Sequence, residues 1–160
     1  MYLWLKLLHL FAVIVFVGNI TVGVLWKTIA DRSRDAAIAA YTMSGIILAD
    51  RVFTIPAIIL LLIAGIGTAQ LEGLPILGTG WILWAIVLFI IAGIAFGPLS
   101  RAQRAILQVA RDGAASGNMD WARYEKLSAS WNLLGTVALV APLVAVALMV
   151  LKPHLPAFHR

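Results

Sequence analysis

Four long apolar runs, separated by shorter polar stretches, form the dominant pattern along this chain. A helix needs about 20 mostly apolar residues to cross a bilayer, and each run reaches that length. The runs predict membrane-spanning helices at about residues 3–26, 52–71, 81–99 and 131–151. Tryptophans stand at or near the ends of the runs, as in the aromatic belts at membrane–water interfaces. The expected fold is therefore all-α, a single transmembrane domain over residues 1–160 built as a four-helix bundle.

The connectors after the first and third spans carry helical patterns of their own. Asp35 is placed to cap a helix over the alanine-rich segment DAAIAAYTMSGIILAD, which leads into the second span. After the third span, SRAQRAILQVARDG predicts a helix that ends at Gly113. Asp120 can cap a further helix that runs into the fourth span. The bundle is thus expected to have helical extensions on the side of these two connectors.

The helix after Asp120 carries a stripe of larger side chains at helical spacing. The stripe consists of Trp121, Tyr124, Ser128 and Trp131. Residues three or four apart lie on one face of a helix, so the stripe predicts packing between helices. A surface that docks a partner protein is the alternative.

Basic residues are concentrated on one side of the predicted membrane. The two helical connectors hold nine of the twelve Lys and Arg residues, whereas the other side holds Lys6, Lys152 and Arg160. Cytoplasmic loops of membrane proteins are enriched in Lys and Arg, so the connectors are expected in the cytoplasm. Both termini are then expected on the periplasmic side of a bacterial inner membrane.

Composition agrees with a membrane protein and disfavours other classes. The chain is 62% hydrophobic and 12% charged, whereas soluble domains are about 25% charged. The net charge of +5 does not indicate a nucleic-acid partner, because acidic residues interleave with the basic ones and no base-stacking pattern accompanies them. The chain has no cysteine, which excludes disulfides, thiolate metal sites and a cysteine nucleophile.

The first span holds the most polar side chains of the four. One stripe on it is expected to face the other helices, because small and polar residues gather where membrane helices meet. The stripe consists of His9, Ala12, Phe16, Asn19 and Gly23. Glycines of the next two spans predict further close helix contacts: Gly65, Gly67, Gly93 and Gly97. Five residues are expected to serve packing or partner contact: Lys6, Asn19, Trp121, Tyr124 and Trp131.

His9 is an ionisable residue inside lipid, which makes it a functional-site candidate. Neutral imidazole is a good ligand for haem iron, and Met149, at a similar depth in the fourth span, is the candidate second ligand for a haem b. The alternative is that His9 forms a hydrogen bond to a neighbouring helix or stays near the lipid headgroups. The tail histidines His154 and His159 are five apart with Pro156 between them, so a helical metal pair is disfavoured.

Several stretches of the chain, taken in order, resemble a bacterial inner-membrane family known as domain of unknown function 2269. They are LWLKLLHL, ADRVFTIPAIILLLIAGIGTAQ, the tryptophan that starts the third span, PLSRAQRAIL and LMVLKP. The best markers are the Lys6–His9 pair, Asp50 with Pro56 and Gly65, and Lys152-Pro153. The resemblance covers nearly the whole chain and implies a four-helix membrane protein, with no established activity to carry over.

The opening WLKLLH is also similar, more distantly, to membrane-bound oxygen-independent protoporphyrinogen oxidases and to copper-resistance D proteins. In those oxidases a histidine of the first span is implicated in haem binding, which would correspond to His9. They typically carry a lysine after the tryptophan of the third span, and WILWAI has none here. This departure disfavours oxidase activity.

The predicted function is that of a small polytopic membrane protein in contact with lipid. Spans two to four contain no acidic residue, so no catalytic centre is recognisable and enzymatic activity is not expected. An accessory or scaffolding subunit of a larger membrane complex, or a homo-oligomer, is favoured. The alternative is a haem-binding or porphyrin-handling membrane protein that uses His9. Transport of a small ion or solute is less favoured, because transporters usually place a charged binding site near the bilayer midplane and spans two to four offer none.

Overall fold

The computed structural model describes residues 1–158, which form long helices joined by short turns. The elements are α1 (Tyr2–Ser33), α2 (Ala36–Ala49), a π-helical turn (Asp50–Thr54), α3 (Ile55–Leu71), α4 (Gly80–Ser116) and α5 (Trp121–Leu151). Because α2, the π-helical turn and α3 are continuous, the described chain has four helices long and apolar enough to cross a membrane. This confirms the all-α fold and the four spans.

Each of the four helices is longer than a bilayer requires. They contain 31 to 37 residues, whereas about 20 cross the hydrocarbon core. The excess lies at the end of the bundle that holds the α1–α2 and α4–α5 connections, where α2 packs against the second half of α4. The helical extensions expected from the connectors are therefore present.

Local capping explains where the helices break in this region. Arg34 adopts a left-handed conformation (φ 52°) after α1, and the Asp35 carboxylate accepts hydrogen bonds from the backbone N–H groups of Ala37 (2.7 Å) and Ile38 (3.0 Å). Asp120 caps α5 in the same way, through the N–H of Arg123 at 3.0 Å. Both predicted caps are confirmed.

The predicted end of α4 at Gly113 is wrong. The helix continues to Ser116 and ends at Gly117, which takes the left-handed conformation (φ 69°) that terminates helices. Gly113 is needed for a different reason, because a Cβ there would lie 2.5 Å from Sδ of Met119. The glycine allows the turn to fold back closely onto the helix.

The buried core lies mainly among α2, α4 and α5. Its members come from all three helices: Ala39, Met43, Leu99, Ile106, Val109, Ala110, Tyr124, Trp131 and Ala138. Elsewhere α1 packs on α3, and many apolar side chains face outward, such as Leu3, Ile94 and Leu133, which are 69–74% exposed. An apolar exterior of this kind is what lipid surroundings require.

The glycines predicted to pack closely divide into two groups. A Cβ at Gly65 would lie 2.9 Å from Cε1 of His9, and one at Gly67 would lie 3.1 Å from Leu5, which confirms close packing of α1 on α3. A Cβ at Gly93 or Gly97 would meet nothing within 4 Å, so the prediction is wrong for α4. Gly93 borders a small cavity instead of a neighbouring helix.

Candidate functional site

The predicted stripe on α1 faces the other helices. Ala12 and Phe16 are 4% exposed, and His9 and Asn19 are half-buried. Nδ1 of His9 lies 3.0 Å from the carbonyl oxygen of Leu61 on α3. Since a carbonyl only accepts, Nδ1 carries the proton in this contact, and Nε2 keeps its lone pair in the neutral ring.

The pairing of His9 with Met149 as haem ligands stays a prediction. The contacts described for His9 are with Leu61 and Gly65 of α3, whereas Met149 is half-buried on α5. Within residues 1–158, no group of three or more His, Asp or Glu side chains could hold a metal ion. The second tail histidine, His159, lies outside the described residues.

Lys27 is the centre of a polar cluster that sequence reasoning missed. Its side chain is buried, and Nζ donates to both carboxylate oxygens of Asp31 (2.5 and 2.7 Å) and to Oγ of Ser128 (2.9 Å). The hydroxyl of Tyr124 donates to Asp31 at 2.7 Å. The rings of Tyr124 and Trp131 have their centroids 5.1 and 5.5 Å from Nζ.

This Lys27 cluster explains most of the stripe on α5. The predicted packing residues Tyr124, Ser128 and Trp131 enclose the ammonium group of α1, and every hydrogen of that group has a partner. The ammonium group of Lys27 therefore links α1 to α5. The available signal was the i, i+4 spacing of Lys27 and Asp31, which places them on one helix face.

Two more of the five predicted packing residues, Trp121 and Lys6, lie nearer the surface. Trp121 packs edge-on against Tyr124 with the centroids 5.6 Å apart, and Arg34 lies over its ring while pairing with Glu125. Lys6 is exposed at the opposite end of the bundle, where Nζ donates to the hydroxyl of Tyr2 at 3.2 Å. Tyr2 in turn donates to Glu72.

A second polar cluster surrounds Asp50, the first residue of the π-helical turn. Oδ2 of Asp50 accepts from Nε2 of Gln103 at 2.8 Å, and Oδ1 accepts from Oγ1 of Thr54 (2.9 Å) and from Nδ2 of Asn19 (3.3 Å). Nδ2 of Asn19 also donates to Thr54 at 2.8 Å. Thr54 and Gln103 are 0% and 3% exposed, so the cluster is internal. It joins α1, the π-helical turn and α4.

The donors around Asp50 are all uncharged. Among the described residues, the ion pairs are Lys27–Asp31 and Arg34–Glu125, and neither involves Asp50. Carboxylates withdrawn from water are normally paired with a cation or hydrogen-bonded. Asp50 has the second form of stabilisation, in which amide and hydroxyl groups hold its orientation.

Asp50, Asn19 and Gln103 together form the polar wall of a cavity of about 790 Å³. The rest of the lining comes from α1, α2, α4 and α5 and is largely apolar, and Asp50 is its only charged residue within the described chain. We call this space the interhelical cavity. Exposed residues such as Trp26 and Leu48 border it, so it opens to the outside between α1 and α2.

The depth of the polar wall follows from helix geometry. With a rise of about 1.5 Å per residue, Asp50 is about 33 Å along α3 from Glu72, and Gln103 is about 33 Å along α4 from Trp81. Glu72 follows the last residue of α3 and Trp81 is the second residue of α4, so both mark the other end of the apolar segments. A hydrocarbon core about 30 Å thick that begins at Glu72 and Trp81 would end at the level of the polar wall.

One buried donor in the cavity lining has no partner. Trp131 is 4% exposed, and its Nε1–H is the single buried side-chain nitrogen or oxygen group in residues 1–158 without a hydrogen bond. Nearly all such groups in folded proteins are satisfied. The nitrogen itself is fully buried, so this donor is enclosed by the surrounding side chains and does not face the cavity.

Comparison with known proteins gives the family of the chain. Residues 3–153 match the family described as predicted integral membrane protein, DUF2269. The chain belongs to this family. No curated protein and no solved structure matches it. The DUF2269 match includes His9, Asp50 and the whole lining of the interhelical cavity, and its description assigns a membrane location without an activity. The more distant similarities to porphyrinogen oxidases and copper-resistance proteins stay predictions.

Proposed function

We propose that this DUF2269 protein binds a lipid-soluble small molecule in the interhelical cavity. The observation that carries the proposal is the cavity itself, with its volume of about 790 Å³ and a mainly apolar lining that includes Asn19, Asp50 and Gln103. Ligand sites are typically clefts of about 300–1,000 Å³ with a few convergent polar groups. The chemistry offered is recognition by hydrogen bonding and burial.

The position of the opening supports entry from the bilayer. Val22, Trp26 and Leu48 line the cavity and are 50–59% exposed, so an apolar molecule meets an apolar rim between α1 and α2. The polar wall lies at the depth where amphipathic molecules keep their head groups. A ligand dissolved in one leaflet therefore reaches Asp50 without crossing the hydrocarbon core.

Filling the cavity tests this proposal. Gly45 lines it, and a Cβ there would meet nothing within 4 Å, so Gly45→Leu places a side chain in the space without a clash at Cβ. Gly18 is equally open but lies outside the lining, which makes Gly18→Leu the matched control. The probe is 1-isobutylpyrene, whose binding is followed by energy transfer from tryptophan in nanodiscs.

Saturable energy transfer is expected for the wild type and for Gly18→Leu, and its loss is expected for Gly45→Leu. Trp26 and Trp131 line the cavity and are suitable donors. Transfer that rises linearly with probe concentration and is equal in all three proteins would overturn the proposal, because it would reflect partition into lipid alone.

Haem binding is the second candidate function, and the His9–Leu61 contact favours it. Haem and metal ligands commonly donate their second ring N–H to a carbonyl, which orients the ring and frees the other nitrogen. The contact of Nδ1 with Leu61 leaves Nε2 of His9 free to bind haem iron. Met149 stays the proposed second ligand of a haem b. Purified protein from haem-replete cells should show a Soret band that His9→Ala removes and His154→Ala retains. A colourless wild-type preparation rejects this candidate.

We also propose that the protein works as an accessory or scaffolding subunit of a larger complex, or as a homo-oligomer, in a bacterial inner membrane. The apolar outer face, with Leu3, Ile94 and Leu133 at 69–74% exposure, suits lipid and equally suits another membrane helix. Native mass spectrometry in mild detergent should detect an oligomer or a co-purifying partner. A monomer alone contradicts this proposal.

A further inference from the structure

The interhelical cavity has one charged group in its lining, and that group is an acid. Asp50 is half-buried, lies on the cavity wall and contacts only uncharged donors. We infer that the cavity selects small lipophilic organic cations, in which an apolar body carries one ammonium group, and that Asp50 is the counter-ion. This inference rests on the proposed function and names its ligand class.

The hydrogen bonds of Asp50 leave room for a ligand. A carboxylate offers about four acceptor positions, and Asn19, Thr54 and Gln103 occupy three of them. An ammonium N–H on the cavity side would occupy the remaining position in a charge-assisted hydrogen bond. The three neutral donors hold the carboxylate in place, so the ligand does not have to organise it.

The aromatic lining favours the same ligand charge. Trp26 and Tyr41 line the cavity, and the faces of such rings attract cations. Trp131 also lines it, and its ring already contacts the ammonium of Lys27. Repulsion from the buried Lys27 is offset, because its ammonium is paired with Asp31 and Lys27 is not part of the lining.

The charge of the lining argues against a phospholipid headgroup as the occupant. In a zwitterionic lipid the ammonium is followed closely by a phosphate, which would enter a space whose only charged wall residue within the described chain is the Asp50 carboxylate. Like charges brought together away from water repel strongly. A molecule with a single positive charge avoids this conflict.

The test compares two probes of the same shape. N,N-dimethyl-1-pyrenemethylamine is protonated at neutral pH, and 1-isobutylpyrene is its uncharged carbon isostere. Dissociation constants are measured by energy transfer from tryptophan in phosphatidylglycerol nanodiscs, for the wild type, Asp50→Asn and Asp112→Asn. Asp112 is exposed on α4 outside the cavity, so its variant makes the same change of charge elsewhere. Taking the ratio of the two constants within each protein, and comparing it between proteins, cancels partition into lipid.

The wild type and Asp112→Asn should prefer the amine, and Asp50→Asn should lower that preference about tenfold or more, because the variant removes the charge-assisted hydrogen bond between the carboxylate and the ammonium group. Equal preference in the wild type and Asp50→Asn would overturn the inference and leave the proposed function standing. Failure of both probes to bind saturably in the wild type would overturn both.

Two further arms complete the test. If Asp50→Asn does not fold, the wild type alone decides: the amine must displace the bound isostere at a membrane concentration at least about tenfold lower than that of unlabelled isostere. Repeating the wild-type titration in phosphatidylethanolamine nanodiscs separates the ligand sources. Retained binding of the amine supports a small cation, and binding seen only without phosphatidylethanolamine assigns the cavity to lipid headgroups instead.

Discussion

Lys27 and Asp50 are charged residues whose side chains lie inside the helix bundle. Lys27 has a partner of opposite charge, and Asp50 has only uncharged partners. Lys27 has a carboxylate, a hydroxyl and two aromatic rings around it. Asp50 has amide and hydroxyl donors and an open cavity beside it. A charge with a complete set of partners stabilises the fold, whereas a carboxylate without a cation has capacity left for a ligand.

Lys27→Met should destabilise the protein, because it leaves the Asp31 carboxylate without its cation. Removal of one partner of a buried ion pair costs about 3–5 kcal/mol, and the 27% exposure of Asp31 reduces the expected loss to about 2 kcal/mol. Thermal unfolding in detergent would measure it. The exposed pair Arg34–Glu125 provides the control, since Arg34→Met should cost less than about 1 kcal/mol. Equal losses for the two variants would contradict a structural role for the Lys27 cluster.

The π-helical turn is the element that sets the orientation of α2 on α3. Pro56 follows it closely and has no N–H to donate to the carbonyl of Val52, so the regular hydrogen-bond ladder is interrupted at this point. The N–H of Ile55 bonds instead to the carbonyl of Asp50, five residues back. The wider turn places Asp50 and Thr54 on the same inner face.

Deletion of Val52 should disrupt this arrangement. Removing one residue turns α2 by about 100° relative to α3, which would take Met43 and Ile46 out of the core. The loss of two buried apolar side chains predicts destabilisation of about 3 kcal/mol or more. Val52 is half exposed, so Val52→Ala is the control for its side chain. Unfolding temperatures that agree between the two variants would show that the turn does not set the orientation.

The chain after α5 folds back over the start of α4 at the other end of the bundle. Nε1 of Trp84 donates to the carbonyl of Pro156 (3.1 Å), and the N–H of Phe158 donates to the carbonyl of Leu77 (3.1 Å). Gly80 touches the carbonyl of Leu155 so closely that a Cβ would clash with it. The absence of a side chain at Gly80 is therefore what allows the tail to dock.

Gly80→Ala should release the tail and leave the bundle intact. Faster hydrogen exchange of the Phe158 amide is the expected result, because that N–H would lose its partner on Leu77. Gly93→Ala is the control, since its Cβ would meet nothing within 4 Å. Unchanged exchange in Gly80→Ala would contradict the docking.

The whole molecule consists of an α1–α3 pair and an α4–α5 pair that are joined mainly by α2 and by side chains. The rings of Phe16 and Phe89 meet across the two pairs with their centroids 5.8 Å apart. Large side chains, rather than closely packed backbones, fill this space, and the interhelical cavity remains where they do not. The cavity is thus a product of how the pairs assemble.

The orientation of the whole molecule is a prediction from its basic residues, and thiol labelling tests it. The chain has no cysteine, so single cysteines report position without background. Leu77→Cys, in the exposed loop before α4, should react with a membrane-impermeant maleimide in intact spheroplasts. Asn118→Cys, in the α4–α5 turn, should react only after permeabilisation. The opposite pattern would place the termini in the cytoplasm.

The sequence by itself determined the features that depend on neighbours along the chain. Hydropathy marks the four spans because lipid requires long uninterrupted apolar helices, and Asp35 and Asp120 mark helix starts because a cap bonds to N–H groups two or three residues away. The helical stripes on α1 and α5 followed from periodicity for the same reason. The end of α4 did not, because Gly113 serves a close contact with Met119.

Only the tertiary structure decided which polar groups meet. Ser128 is 101 residues from Lys27, Gln103 is 53 from Asp50, and Leu61 is 52 from His9. Spacing along one helix carries no information about a partner on another helix. The interhelical cavity depends on the same docking, since it is the volume that four helices leave unfilled when they pack around Asp50.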